Sequence, residues 1–583
     1  MRLCGSSAAV NSVFAALAAA AAYGVCLGFG FLNYDDCNLV LANEFINGSR
    51  ACSLADFFVP GLVRDDVYMP LTLALYSFLI RAFGKAPLAF HAVSLCFYAA
   101  SSAALCMFLS ESLRLVSGNA ALRRMERLFG SGSVAFWAAM LYAVHPAHAE
   151  NVAWIAALGY NAAALFFFSA LLVFVRLMYR FDWGGFSLMC LLFSVSVLFQ
   201  PAAVVFPALL LVWAFVFKRE RIAFCAKLSS VPFAIAGLYM ILFRMTISSS
   251  GRLGGFSLGL LERVSVFGRF VLNSFLPFDL QPIYPVHGPL YAVLAVVAVA
   301  AAVFAIVRTG DRIVSFSCLW FLVAMSPFLN VFFCQPPYDR YLMMSSAGPC
   351  LLVSYGLLAV SALLARKVRA FVRIALFPVV SFFALFLVLA FIQALFWSSD
   401  VALWGRAWER YRPNGLVYSC YGGFCLVNGR YEELYEASDF VLAADPANRE
   451  AYRLKLSGLL EEGRIGDLYE TCKREIEIEP GYFLPYLYMA DVDLGRGELD
   501  RALEEAEKAV ELSAGESAVP PGMKRLLSEI CRRKGESLLK SGDREGAGEF
   551  LRRARSLDPS NDAAAKALSD IEGKPGSASG HAE

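Results

Sequence analysis

A chain of 583 residues that is 58% hydrophobic, 14% aromatic and only 17% charged is too apolar for an ordinary soluble domain, which places most of its length in lipid. Its formal net charge of +2 leaves no global basic surface and argues against nucleic acid as a partner. Fifteen cysteines, many inside apolar runs and none in a CxxC pair, read as small packing residues rather than a disulfide or metal framework.

The first apolar run, 8–32, is longer than the core of a cleavable signal peptide and predicts a retained span. It ends in NYDD, with Asp35 and Asp36 adjacent at the helix exit. Ten further runs are long or apolar enough to cross, at 88–113, 134–146, 160–178, 186–199, 202–217, 229–246, 290–307, 313–333, 341–365 and 374–397, for eleven crossings. Two shorter stretches, 69–83 and 263–277, carry arginine within them and are expected as juxtamembrane or re-entrant helices. This count gathers Arg123, Arg124, Arg127, Lys218, Arg219, Arg221, Arg366, Lys367 and Arg369 on one side, the cytoplasm by the positive-inside rule. The N-terminus is then cytoplasmic, and residues 33–68, 145–159, 247–289, 334–340 and everything beyond 398 lie outside. The membrane is the cytoplasmic membrane, or the endoplasmic reticulum membrane in a eukaryote.

From about residue 400 the composition turns charged and helical. Turn glycines recur in NGRYEEL, EGRIGDL and RGELDRA, at Gly429, Gly463 and Gly497, each 34 residues apart, and again at Gly542 after 45. Closing prolines keep the same beat at Pro446, Pro480 and Pro559. A period of 34 with helix, glycine turn, helix and proline resembles the tetratricopeptide repeat, here about four units with a cap near 560–572 and an insertion around 514–524. Such units stack because no single helix pair buries its apolar face, and the groove they leave takes an extended peptide. The expected organisation is all-α: a transmembrane helix bundle over 1–399, a repeat solenoid over 400–572 and a disordered tail over 573–583.

Four stretches punctuate the outer ends of apolar runs: NYDD at 33–36, HPAHAENVAW at 145–154, LPFDLQPIYP at 276–285 and YDRYLMM at 338–344. Their order, followed by the repeats, resembles the membrane O-mannosyltransferases with C-terminal tetratricopeptide repeats, of the GT-C glycosyltransferase superfold. The resemblance covers nearly the whole chain. It implies transfer of a sugar, mannose in that family, from a polyprenyl-phosphate carrier to an acceptor hydroxyl outside the cytoplasm, with Ser or Thr of a protein as acceptor and the repeat groove as its holder.

The family's catalytic acidic motif falls on Asp35 and Asp36, with a slight preference for Asp36. A carboxylate there takes the proton of a weakly nucleophilic hydroxyl. Two adjacent carboxylates also admit a divalent ion, and the metal requirement stays open. The phosphate leaving group needs a cation, and Arg340 suits it, with Arg263 and Arg269 as further candidates on an interfacial helix. His145, His148 and Glu150 form an HxxHxE cluster, broken by Pro146, which has the residue types to ligate metal, orient an acceptor or shape the cavity. Asn161 stands where many GT-C relatives carry an acid, which weakens any second catalytic carboxylate. Two other readings fit the same residues: another lipid-linked sugar or oligosaccharide transferase, and a membrane-anchored repeat scaffold without catalysis. Retention of both the Asp pair and HPAHAE argues against the scaffold.

Overall fold

The computed structural model describes residues 6–116, 119–249, 259–284, 288–329, 337–367, 376–513 and 521–572. Every regular element among them is helical. His287, Pro285 and the tail 573–583 lie outside the described residues. The chain divides into two compact units, Met1–Ala407 and Trp408–Glu583. The division falls after Ala407 rather than at 399, because the helix Asp400–Tyr411 opens against the first unit.

In the first unit seven helices among the described residues are long and apolar enough to cross a membrane: Ser7–Gly28, Pro87–Val116, Ile155–Leu177, Arg219–Ser248, Pro289–Thr309, Ala347–Ala365 and Phe377–Phe396. Each corresponds to one of the eleven expected runs. The other four fall on shorter apolar helices, Ser133–Ala143, Trp183–Phe199, Pro201–Phe217 and Arg312–Phe328. At 1.5 Å per residue these reach across only part of a bilayer core of about 30 Å. The two stretches expected not to span are helices of 14 and 16 residues, Pro70–Phe83 and Leu260–Phe275. The protein is a multi-pass membrane protein.

Polar side chains bind these helices where lipid gives no hydrophobic drive to association. The Trp213 indole donates to Ser112 Oγ at 2.9 Å, and Asn161 donates to Ser94 Oγ at 2.8 Å and to the Asn151 carbonyl at 2.7 Å. The amide of Asn161 therefore ties the helix Leu158–Leu177 to Pro87–Leu113 and to the 145–154 stretch. Gly268 allows the helix Leu260–Phe275 to lie against Pro289–Thr309, since a Cβ there would sit 1.8 Å from the Tyr291 carbonyl oxygen.

The second unit is a run of helical hairpins: Gly415–Val427 with Tyr431–Ala444, Arg449–Glu462 with Ile465–Ile478, Leu484–Arg496 with Leu499–Ser513, and Pro521–Ser541 with Arg544–Leu557, closed by Asp562–Glu572. The four turn glycines have φ from +66° at Gly429 to +92° at Gly542, the left-handed region that a helix-ending glycine supplies at no steric cost. Apolar residues of successive hairpins share one core, among them Leu494, Ala506, Ile530 and Leu551. This is the four-unit, capped solenoid that the 34-residue beat predicts.

Candidate active site

Four segments distant in the chain meet in the first unit. The first span gives way to a short break, and the chain turns at residues 33–34 and becomes helical from Asp35, leading into the π-helix Cys37–Leu41. Asp36, fully buried at 0% exposure, accepts from the Leu32 N–H at 2.9 Å on one carboxylate oxygen and from the Ala156 N–H at 2.8 Å on the other. Burial pushes its carboxyl up to about 7, against the pull of those two N–H groups and with the neighbouring Asp35 adding to the rise. Asp35, by contrast, is only half-buried. Of the adjacent pair, one carboxylate is a tie inside the protein and the other is reachable.

Pro146 breaks the helix and starts a 3-10 turn, Pro146–His148, so the HxxHxE spacing does not lie on a helix face. Both imidazoles are sunk in the core. His145 Nε2 lies 3.1 Å from the Ser274 carbonyl and Nδ1 accepts from the Ala147 N–H. His148 Nδ1 lies 2.8 Å from the Tyr98 hydroxyl, and Nε2 lies 2.9 Å from Ser346 Oγ. Burial pushes His145 down to about 4 and His148 well below its ordinary value, which keeps both rings neutral. Of the roles open to these rings, metal ligation, acceptor orientation and cavity shaping, the structure shows each ring nitrogen with a partner within the protein. Among the described residues no three His, Cys, Asp or Glu side chains converge as a metal site.

Glu150 is the member of the cluster that reaches a charged group. Its carboxylate pairs with Arg340 Nη1 at 2.5 Å and accepts from the Arg340 backbone N–H at 3.0 Å. The Arg340 guanidinium lies over the Tyr338 ring at 3.6 Å and near Trp154 at 5.2 Å. Burial disfavours the charged guanidinium, and the Glu150 carboxylate beside it more than offsets that. The carboxylate next to it in sequence, Asp339, points elsewhere, accepting from Tyr284 at 2.5 Å and Asn273 at 2.7 Å. Burial pushes Asp339 up to about 7 despite those donors. Through Tyr284 and Asn273, residues 276–284 and the helix Leu260–Phe275 join the site.

Arg269 and Arg263 share that helix. Arg269 is 6% exposed, donates to the Tyr291 hydroxyl and the Asp279 carbonyl, and stacks 4.1 Å from the centre of the Tyr284 ring. It fastens the 276–284 segment, a use of its donors that the apolar spacing alone does not reveal. Arg263, half-buried, lies six residues earlier. Another arginine, Arg64, forms a two-pronged ion pair with Asp66, and its field reaches both Asp35 and Tyr160. Sequence reading passed over Arg64 and Tyr160. The available signal was VRDDVY at 63–68, an arginine and two carboxylates in the same loop region as Asp35.

The fold and this site define a multi-pass, all-helical membrane protein that carries a helical-repeat unit and a buried cluster of carboxylates, tyrosines and two ion-paired arginines. No family model matches the chain, and no curated protein matches it. Among solved structures it is similar to the Archaeoglobus fulgidus oligosaccharyltransferase AglB in complex with an inhibitory peptide and a dolichol-phosphate, at 13% identity and a TM-score of 0.39, over 71% of this chain and 59% of that one. The apo form of an oligosaccharyltransferase from the same organism matches at 14% identity and 0.38, over the same shares. Yeast Tom70 matches at 13% identity and 0.24, over 78% of this chain and 87% of that one. The matched region thus spans under two thirds of the archaeal enzymes' length. Scores at this level do not establish a common fold.

Proposed function

We propose that this protein is a GT-C-type membrane glycosyltransferase that moves a sugar, mannose by the resemblance of its motifs, from a polyprenyl-phosphate carrier to a Ser or Thr hydroxyl of a protein on the extracytoplasmic face. The observation that carries the reading is that the segment bearing the reachable carboxylate Asp35 meets the buried Arg340–Glu150 ion pair through Tyr34, whose ring stacks on Trp154 beside the Arg340 guanidinium, while the field of the ion-paired Arg64 reaches Asp35. Asp35 takes the acceptor proton, and Asp36 holds the turn, the reverse of the preference that sequence alone suggests, because both oxygens of Asp36 are occupied by backbone N–H groups. Arg340 stabilises the negative charge that grows on the leaving phosphate. Glu150 keeps the Arg340 fork aimed.

A lipid carrier also needs an apolar berth. A cavity of about 430 Å³ lined by Phe267, Val271, Phe275, Ala298, Ala302 and Phe321 lies on the helix Leu260–Phe275, which also carries Arg269 and Asn273. It suits a prenyl chain. The repeat unit serves as the holder of an extended protein acceptor. The test is transfer by the purified protein in nanodiscs, with polyprenyl-phosphate mannose and a Ser/Thr peptide, read by mass spectrometry. Mannosylated peptide supports the reading. Absence of transfer across a panel of polyprenyl-linked sugars overturns it.

A further inference from the structure

The helix Asp400–Tyr411 opens the charged C-terminal third of the sequence, yet its first turns belong to the first unit. Both carboxylate oxygens of Asp400 accept from the backbone N–H of Asn33, at 2.9 and 3.1 Å. One turn on, Trp404 is fully buried and meets the Tyr34 ring edge-on with centroids 5.0 Å apart. Tyr34 is itself stacked on Trp154 at 4.8 Å, the ring beside the Arg340 guanidinium. Arg406 donates to Gln393 at 3.2 Å and lies 3.6 Å from the centre of the Phe396 ring, which fixes this helix to the last membrane helix, Phe377–Phe396.

The turn that precedes Asp35 is therefore held by two carboxylates from different parts of the chain. Asp36 ties it through Leu32 and Ala156, and Asp400 ties it through Asn33, two residues ahead of Asp35. A hydrogen bond from an N–H to an ionised carboxylate is about twice as strong as a neutral one. A base works by position, and a displacement of about 1 Å costs on the order of 10²-fold in rate. Nothing in the local sequence near 400 marks an acid with this task.

We propose that Asp400 is a positioning residue for the transfer reaction: it holds Asn33, and with Trp404 it holds Tyr34, so that Asp35, next in the chain, keeps its place in the site. The proposal rests on the glycosyl-transfer reading for the reaction concerned. It makes the opening of the helix Asp400–Tyr411 a working part of the membrane unit.

Two measurements on the full-length protein in nanodiscs test it, with Asp400→Ala, Asp400→Asn and Trp404→Phe. Hydrogen exchange of peptides covering residues 29–41 is expected to rise about tenfold at the Asn33 amide in Asp400→Ala, and less in Asp400→Asn, whose amide oxygen still accepts. In steady-state transfer, kcat is expected to fall tenfold or more in Asp400→Ala, with half-saturating donor changed less than about twofold, and to lie between that value and wild type in Asp400→Asn and in Trp404→Phe. Unchanged exchange over 29–41 overturns the anchoring. Raised exchange with unchanged kcat in an active enzyme overturns the role in transfer. Should Asp400→Ala fail to fold, the isosteric Asp400→Asn carries both comparisons. A wild type that transfers no sugar from any donor overturns the glycosyl-transfer reading and Asp400's part with it, whereas an active wild type with an indifferent Asp400→Asn and Asp400→Ala overturns Asp400 alone.

Discussion

Arg340 and Glu150, 190 residues apart, form an ion pair at 2.5 Å with side chains only 11% and 2% exposed. The pair joins HPAHAE to YDRY, two motifs with no sequence relation to each other. Burying two charges is costly, and removing one partner of such a pair typically destabilises by about 3–5 kcal/mol because the other is left uncompensated.

Glu150→Ala is expected to lower thermal stability by about 3 kcal/mol and to raise the half-saturating donor concentration, since Arg340 loses its aim. Glu150→Gln keeps an acceptor for the Arg340 N–H groups and is expected to fold better while still binding donor less tightly. Thermal unfolding and a donor titration on the two variants check this. Equal donor affinity in wild type and Glu150→Gln counts against the aiming role.

The Asp pair separates by burial. Asp35→Asn is expected to cost transfer about 10²–10⁴-fold in kcat while the protein unfolds at an unchanged temperature. Asp36→Asn is expected to act through structure instead, because an amide offers one acceptor where two N–H groups, of Leu32 and Ala156, need one each. The unmet contact costs about 1–3 kcal/mol. Kinetics and unfolding of both variants side by side decide the assignment, and it fails should Asp36→Asn abolish transfer at full stability while Asp35→Asn remains active.

Much of the architecture was legible because it is written in composition and period. Apolar run length marks the seven long helices, and a 34-residue glycine beat marks the solenoid. The site was legible only as a set of punctuation marks. NYDD, HPAHAE, the 276–284 segment and YDRY do converge, but which atoms face a substrate depends on burial, and of the adjacent Asp35 and Asp36 one is half-buried and the other fully buried. His145 and His148 look like ligands as letters and turn out to be buried hydrogen-bonding staples. Asp400 was invisible for a related reason: it acts on Asn33, 367 residues away along the chain, and does not lie in a stretch whose pattern requires it.

If the repeat unit holds the acceptor, deletion of residues 412–583 is expected to leave transfer to a short peptide within about threefold of wild type and to reduce transfer to a full-length protein acceptor by tenfold or more, the size of an effective-concentration effect. The deletion keeps Asp400 and Trp404 in place. Paired kinetics on short and long acceptors check this. Equal loss on both acceptors removes the recruiting role.

The repeat unit also carries a proton-linked weakness. Glu475, in the helix Ile465–Ile478, is 2% exposed, and neither of its carboxylate oxygens has a hydrogen-bond partner among the described residues. Burial pushes its carboxyl up to about 8, Glu479 adds to the rise, and Arg449 opposes it weakly because that arginine is committed to an ion pair with Glu479. The folded state thus favours the protonated acid, whereas the unfolded chain ionises near pH 4.3. The stability this provides is fully present below about pH 4.5 and is lost as pH rises through about 8. Glu475→Gln keeps the shape and has no proton to lose. It is expected to match wild type at pH 4, where both states hold the proton, and to exceed it increasingly as pH rises to 9. Glu479→Gln gives the converse check, since it frees Arg449 to approach Glu475, lowers that acid and flattens the wild-type pH dependence. Thermal unfolding of the intact protein from pH 4 to 9 reads both variants, and a gap between Glu475→Gln and wild type that stays constant across that range shows that Glu475 is not the titrating group.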